Sequence, residues 1–222
     1  MRSDALRTLA LLAATCVAWQ ANAQPAGATP PFEAGTHYTV ITPPQPTSTD
    51  DGKIEVTEIF MFACPGCFAF EPHLQRWLEK KADYINFVRI PAAWNPTAEI
   101  HARAYYTAEA LGKLGEIDEP FFTAFHTQRN YLETEAKLAD FFEQHGVDKA
   151  TFARTFNSFA VTAKLKRAEE LIGRYGVEST PSVVVNGKYL ATGRMAGTYE
   201  AWFAIVDELA AREHAAAGSA AR

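Results

Sequence analysis

Two cysteines separated by two residues, Cys64-Pro65-Gly66-Cys67, are the part of this chain best suited to chemistry. That spacing lets the two sulfurs make and break a disulfide with each other, and their position decides how reactive they are. The run from Lys53 to Phe62 reads as a strand, and a helix is expected from Pro65 to about Lys81. Cys64 then ends the strand, Pro65 takes the first helical position that proline favours, and Cys67 falls within the first turn. The unpaired N–H groups and the positive dipole end there favour a thiolate on Cys64. A thiolate is the reactive form of cysteine, and one of lowered pKa is the better leaving group. Cys67, one turn inward, would be shielded and act as the resolving thiol.

Other readings of the pair are weaker. A zinc site needs about four ligands, yet there is no second CxxC and none of the six histidines forms an H-x3–5-H pair. A purely structural disulfide closing so small a loop would constrain the unfolded chain little. No metal and no organic cofactor are expected.

Glu58 is the next residue of interest. Alternate side chains of a strand share a face, which puts Ile54, Val56, Glu58, Phe60 and Phe62 together. A carboxylate in the middle of that apolar stripe should have a raised pKa and could take up the Cys67 proton. The alternative is an edge-strand glutamate reaching solvent. Thr180-Pro181 precedes the β-branched run Val183-Val184-Val185. An X-Pro bond is cis only about 5–6% of the time, and proline also suits a strand start for other reasons.

The elements that must position these residues follow from pattern. His37 to Thr42 is a candidate short strand, and Tyr84 to Ile90 another; with the strand and helix around the cysteines this makes a right-handed, parallel βαβ unit. From Thr97 to about Tyr175 the pattern is helical. Leu138, Phe141, Phe142 and His145 form one stripe ended by Gly146. Asp148 suits an N-cap for a helix with Phe152, Phe156 and Phe159 on one face. Val161, Leu165, Ala168, Ile172 and Tyr175 form a third stripe, and all are read as core. Asn186-Gly187 then marks a type I′ turn between Ser182–Val185 and Lys188–Leu190, and a last helix opens near Thr198.

The segments Glu58-Ile-Phe-Met-Phe-Ala-Cys64-Pro-Gly-Cys67-Phe-Ala-Phe-Glu71 and Gly176-Val-Glu-Ser-Thr180-Pro181-Ser-Val-Val-Val-Asn186-Gly187-Lys188-Tyr189 resemble those of the DsbA-type periplasmic disulfide oxidases. The resemblance implies an α/β, thioredoxin-like fold whose βαβ and ββα halves are interrupted by an all-helical domain. The expected boundaries are 36–96 and 176–214 for the thioredoxin-like domain and 97–175 for the insertion. It implies Cys64 as the accessible nucleophile, Cys67 as its resolving partner and Glu58 as the family's buried acid. Thr180-Pro181 would be a cis-proline loop that faces the cysteines and pairs with substrate backbone. Two departures stand out: Pro65-Gly66 replaces the family's usual Pro-His, and its lysine near the buried acid has no evident counterpart. The implied activity is donation of the Cys64–Cys67 disulfide to unfolded exported proteins, with reoxidation by a quinone-linked membrane protein of the DsbB type. Rival readings are a periplasmic reductase or isomerase, and a redox-inert chaperone using the groove near Pro181.

Residues 1–23 fit a secretory signal: Arg2 and Arg7, an apolar stretch from Leu9 to Trp19, then Ala21-Asn22-Ala23. Its removal would take Cys16 with it, leaving only Cys64 and Cys67 of the three cysteines. Residues 24–35 read as a flexible N-terminal segment and 215–222 as a frayed tail. With a formal net charge of -5 and no basic block, nucleic acid is not an expected partner. A periplasmic monomer is expected.

Overall fold

The computed structural model describes residues 32–49 and 52–220. The expected signal segment with Cys16, and residues 24–31, lie outside the described residues. Five strands form one sheet: β1 (Thr39–Val40), β2 (Ile54–Phe60), β3 (Ile85–Pro91), β4 (Ser182–Val185) and β5 (Tyr189–Thr192), in the order β1-β5-β4-β2-β3. β2 lies between a parallel β3 and an antiparallel β4, so both its edges are paired, and with helices packed over the sheet all seven of its residues are buried. This disposes of the edge-strand alternative for Glu58. The first strand is shorter than the expected 37–42, because β1 pairs only with β5 and Val40 is half exposed.

Helix α1 (Pro65–Leu78) follows β2 and packs beside α8 (Tyr199–Ala220), which leaves β5 through the single turn α7 (Gly193–Ala196). Five helices lie between β3 and β4: α2 (Pro96–Ala110), α3 (Leu114–His126), α4 (Glu135–Gln144), α5 (Lys149–Phe156) and α6 (Phe159–Tyr175). Asn95, Thr134, Asp148 and Ser158 cap four of them by accepting a hydrogen bond from the amide three residues on. Where the tail was expected to fray, the last helix continues through Ala220. Asn186 and Gly187 both have positive φ, 52° and 64°, as a type I′ turn requires. Any Cβ at Gly187 would strike the Gln45 carbonyl, which explains a glycine there.

Two apolar clusters divide the interior. One gathers Phe70, Leu74 and Trp77 of α1 with Trp202, Ile205 and Leu209 of α8 over Val56 and Val183. The other joins Ile59, Phe60 and Phe62 to Phe121 and Phe122 of α3 and to the remaining helices of the insertion. The stripe expected along β2 is therefore split, with Ile54 and Val56 in the first cluster, Phe60 and Phe62 in the second, and Glu58 at the seam. One stripe residue of the insertion departs from expectation. Phe159 is 87% exposed, because α5 stops at Phe156 and Ser158 caps a new helix, which resets the helical phase before Phe159.

Candidate active site

The sheet brings the cysteines and the proline loop together. Ile59 of β2 lies opposite Ser182 of β4, so the chain leaving β2 toward Cys64 and the chain entering β4 from Pro181 meet at one end of the sheet. The Thr180–Pro181 peptide is cis. Gly66 comes so close to this loop that a Cβ on it would lie 3.3 Å from Pro181 Cδ and 3.6 Å from Cys64 Sγ. Beside them is a cleft of about 510 Å³ lined by Gly66, Thr180, Pro181, Arg194, Tyr199 and Trp202, among others.

Cys64 is the N-cap of α1, with Pro65 at the start of the helix. Its Sγ accepts from the Cys67 amide at 3.4 Å and lies 3.3 Å from the Thr180 carbonyl. Both cysteines are free thiols, Cys64 partly exposed and Cys67 buried. Hydrogen bonding from the Cys67 thiol, helped by the backbone N–H groups of Cys67 and Gly66, pulls the Cys64 pKa down to about 5 against the opposing effect of burial. Burial, with Cys64 and Glu58 nearby, pushes the Cys67 thiol far above the ordinary cysteine range. One sulfur is thus built to be an anion at neutral pH and the other to hold its proton.

Glu58 is fully buried, and burial pushes its pKa up to about 7 although Arg89 pulls the other way. Arg89 supplies the cation for which the sequence offered no lysine. In the parallel β2–β3 register Glu58 lies directly opposite Arg89, and Arg89 Nε is 2.8 Å from Glu58 Oε2. Arg89 also reaches Glu71 of α1 at 3.0 Å and Asp118 of α3 at 3.3 Å, and its guanidinium stacks on Phe60, 4.1 Å from the ring centroid. Burial works against the arginine's charge, yet these carboxylates together push its pKa up. Burial likewise pushes Asp118 up to about 6, with Arg89 opposing. Burial and the neighbouring Glu71 charge therefore hold both Glu58 and Asp118 toward their acid forms against the pull of Arg89.

Sequence reasoning also missed His126 on α3. Its Nε2 is 2.7 Å from the Phe62 carbonyl, two residues before Cys64, and its ring stacks on Phe68 at 4.7 Å. Phe68, next to Cys67, is 38% exposed. Among the described residues no group of His, Cys, Asp or Glu is arranged to hold a metal ion, and no helix is long and apolar enough to cross a membrane.

Comparison with known proteins agrees with this geometry. Residues 90–202 match the family described as DSBA-like thioredoxin domain. The chain is 38% identical to the thiol:disulfide interchange protein DsbA of Pseudomonas aeruginosa over 186 residues, covering 84% of this chain and 88% of that one. It is 36% identical to the protein of the same name from Pseudomonas syringae pv. tomato, covering 95% and 98%. The crystal structure of the P. aeruginosa protein superposes with a TM-score of 0.79, at 37% identity, over 84% of this chain and 97% of that chain.

Proposed function

We propose, for a chain that belongs to the DsbA family of thiol:disulfide oxidoreductases, that it oxidises exported proteins in the periplasm by donating its Cys64–Cys67 disulfide. One observation carries the assignment of roles: the thiol with the pKa near 5 is the partly exposed one, at the helix end facing Pro181. A substrate thiolate attacks Cys64 Sγ, and the bond to Cys67 breaks. A second substrate thiol then displaces Cys64 as a stabilised thiolate. The products are a substrate disulfide and a dithiol enzyme, so the reaction balances on sulfur and protons alone.

Glu58 exchanges a proton with Cys67, which as a buried sulfur cannot leave as an anion without one. Thr180 and Pro181 receive the backbone flanking the substrate cysteine, and Pro65 and Gly66 tune the Cys64 thiolate. Reoxidation falls to a quinone-linked membrane protein of the DsbB type, and residues 1–23 direct export. The protein acts as a monomer.

The test is alkylation of the reduced protein across pH 3–9, with equilibration against glutathione. Cys64 should be modified with a midpoint near pH 5, with Cys67 untouched until the protein unfolds. The couple should lie well above the roughly −270 mV of thioredoxin. Equal labelling of the two sulfurs, or a thioredoxin-like potential, would remove the assignment.

A further inference from the structure

Three carboxylates from three elements converge on one guanidinium, and the thiol chemistry accounts for only one of them. Arg89 donates Nη2 to Glu71 and Nη1 to Asp118, at 3.0 and 3.3 Å, and its Nε lies 2.8 Å from Glu58 Oε2 as an ion pair without hydrogen-bond alignment. Asp118 is the member contributed by the helical insertion. Both Glu58 carboxylate oxygens and Asp118 Oδ1 are buried without a hydrogen-bond partner among the described residues. A bare carboxylate oxygen out of water is costly, and a protonated one is less so. The guanidinium itself has no proton to give. A shared proton therefore has two places to sit, Glu58 and Asp118, joined through the one cation that holds both.

The two differ in access. The Glu58 side chain is wholly buried, whereas that of Asp118 is 21% exposed. We propose that Asp118 is a positioning residue for the redox step: by sharing Arg89 with Glu58 it keeps Glu58 protonated until Cys67 departs. The inference rests on the reading of Glu58 as the proton partner of Cys67. When the substrate thiolate takes Cys64, the electron pair of the S–S bond goes to Cys67 Sγ. Cys67 thiolate and Glu58 carboxylic acid become Cys67 thiol and Glu58 carboxylate. The new charge draws Arg89 toward Glu58 and away from Asp118, which takes a proton from water at its exposed edge. Burial is the main force that keeps Glu58 in its acid form. Without Asp118, Arg89 would bear more fully on Glu58 and shift it toward the carboxylate, so the leaving sulfur would find its proton less often.

Of the other groups facing the cluster, Glu71, 13% exposed on Arg89 Nη2, also favours the acid form of Glu58. Both of its oxygens, however, accept hydrogen bonds, Oε1 from Gln75 and Oε2 from Arg89, so unlike Asp118 it has no bare oxygen on which to take the shared proton. Tyr105 of α2, its hydroxyl 3.5 Å from the Arg89 carbonyl, has its pKa pushed far up by burial. Glu109 lies further along the same helix on Lys164. On α3 itself Glu116 pairs with Lys113, and Glu119 lines a separate cleft with His145.

The test is the pH profile of single-turnover reduction of the oxidised protein by a cysteine peptide, for the wild type, Asp118→Asn, Asp118→Glu and Glu58→Gln. Asp118→Asn should move the Glu58-dependent limb to lower pH by at least ~0.5 unit, a loss of about threefold in rate near pH 7, with Cys64 alkylation unchanged. Asp118→Glu should restore the profile, and Asp118→Asn should add nothing in a Glu58→Gln background. A wild-type profile in Asp118→Asn, while Glu58→Gln abolishes the limb, overturns the role of Asp118. No limb lost in Glu58→Gln overturns instead the reading of Glu58. Should Asp118→Asn fail to fold, carbon-13 carboxyl resonances of the wild type decide. Asp118 titrating in two coupled phases supports the proposal, and a single phase overturns it.

Discussion

Gly66 and Glu58 each do something their residue type alone does not reveal. Gly66 lacks the imidazole of the family's usual Pro-His, but it also lets Pro181 approach to a distance at which a Cβ would need the loop to give by a few tenths of an ångström. The two effects can be separated. Gly66→Ala adds only the Cβ, so it should slow exchange with a peptide thiol while leaving the Cys64 pKa in place. Gly66→His adds a donor as well, so it should lower that pKa and raise the potential by about 30 mV for each ~1.4 kcal/mol of added thiolate stabilisation. A glutathione titration and a peptide-exchange assay on both variants check this, and an unmoved potential in Gly66→His would leave the backbone as the sole control of redox poise. For Glu58 the sign follows from a pKa raised from 4.5 to about 7. Its contribution to stability is complete below the lower value and lost as pH rises through the higher one. Glu58→Gln should therefore flatten the stability profile between these limits and gain on the order of 1–3 kcal/mol at pH 8 relative to pH 5. Denaturation curves at the two pH values measure it, and an unchanged slope would mean the acid is ionised throughout.

Among the elements, the insertion helices separate core from surface in a way that can be measured. Phe152 is fully buried against Phe142 and Phe156, whereas Phe159 stands in solvent. Phe152→Ala should cost about 3–5 kcal/mol, and Phe159→Ser should stay within about 0.5 kcal/mol of wild type. Comparable losses in chemical denaturation would show that Phe159 is covered in solution. The same contrast marks what could be read without coordinates. Strand–helix–strand around the cysteines, the hairpin at Asn186-Gly187 and the cap at Asp148 are local signals, and the chain obeys them. Phe159 obeyed the helical period until the cap at Ser158, two residues after the end of α5, broke the phase. Arg89 carried no local signal at all. It lies on a strand that was recognised, but its meeting with Glu58 depends on the register of two parallel strands, which nothing in either strand's own residues specifies.

Across the whole molecule, the redox state and the pH respond to one another. The Cys64 pKa is depressed from 9.0 to about 5, so the thiolate's contribution to the reduced fold is present above the higher value and lost as pH falls through the lower. The reduced protein should gain stability relative to the disulfide form as pH rises from 5 to 9, opposite in slope to the effect of Glu58. Paired melting curves of the two forms test this, and parallel pH profiles would refute it. The placement of β4 has a consequence in time as well as in space. β2 and β4 are neighbours in the sheet, yet the whole helical insertion separates them along the chain. The entropy of closing so long a loop must be met before their pairing can repay it. During synthesis, N-terminus first, Cys64 and Cys67 emerge long before Pro181 exists to face them. The nascent chain thus carries bare, unshielded thiols, open to the same oxidants as any client, and becomes a catalyst only with the late docking of its last strands.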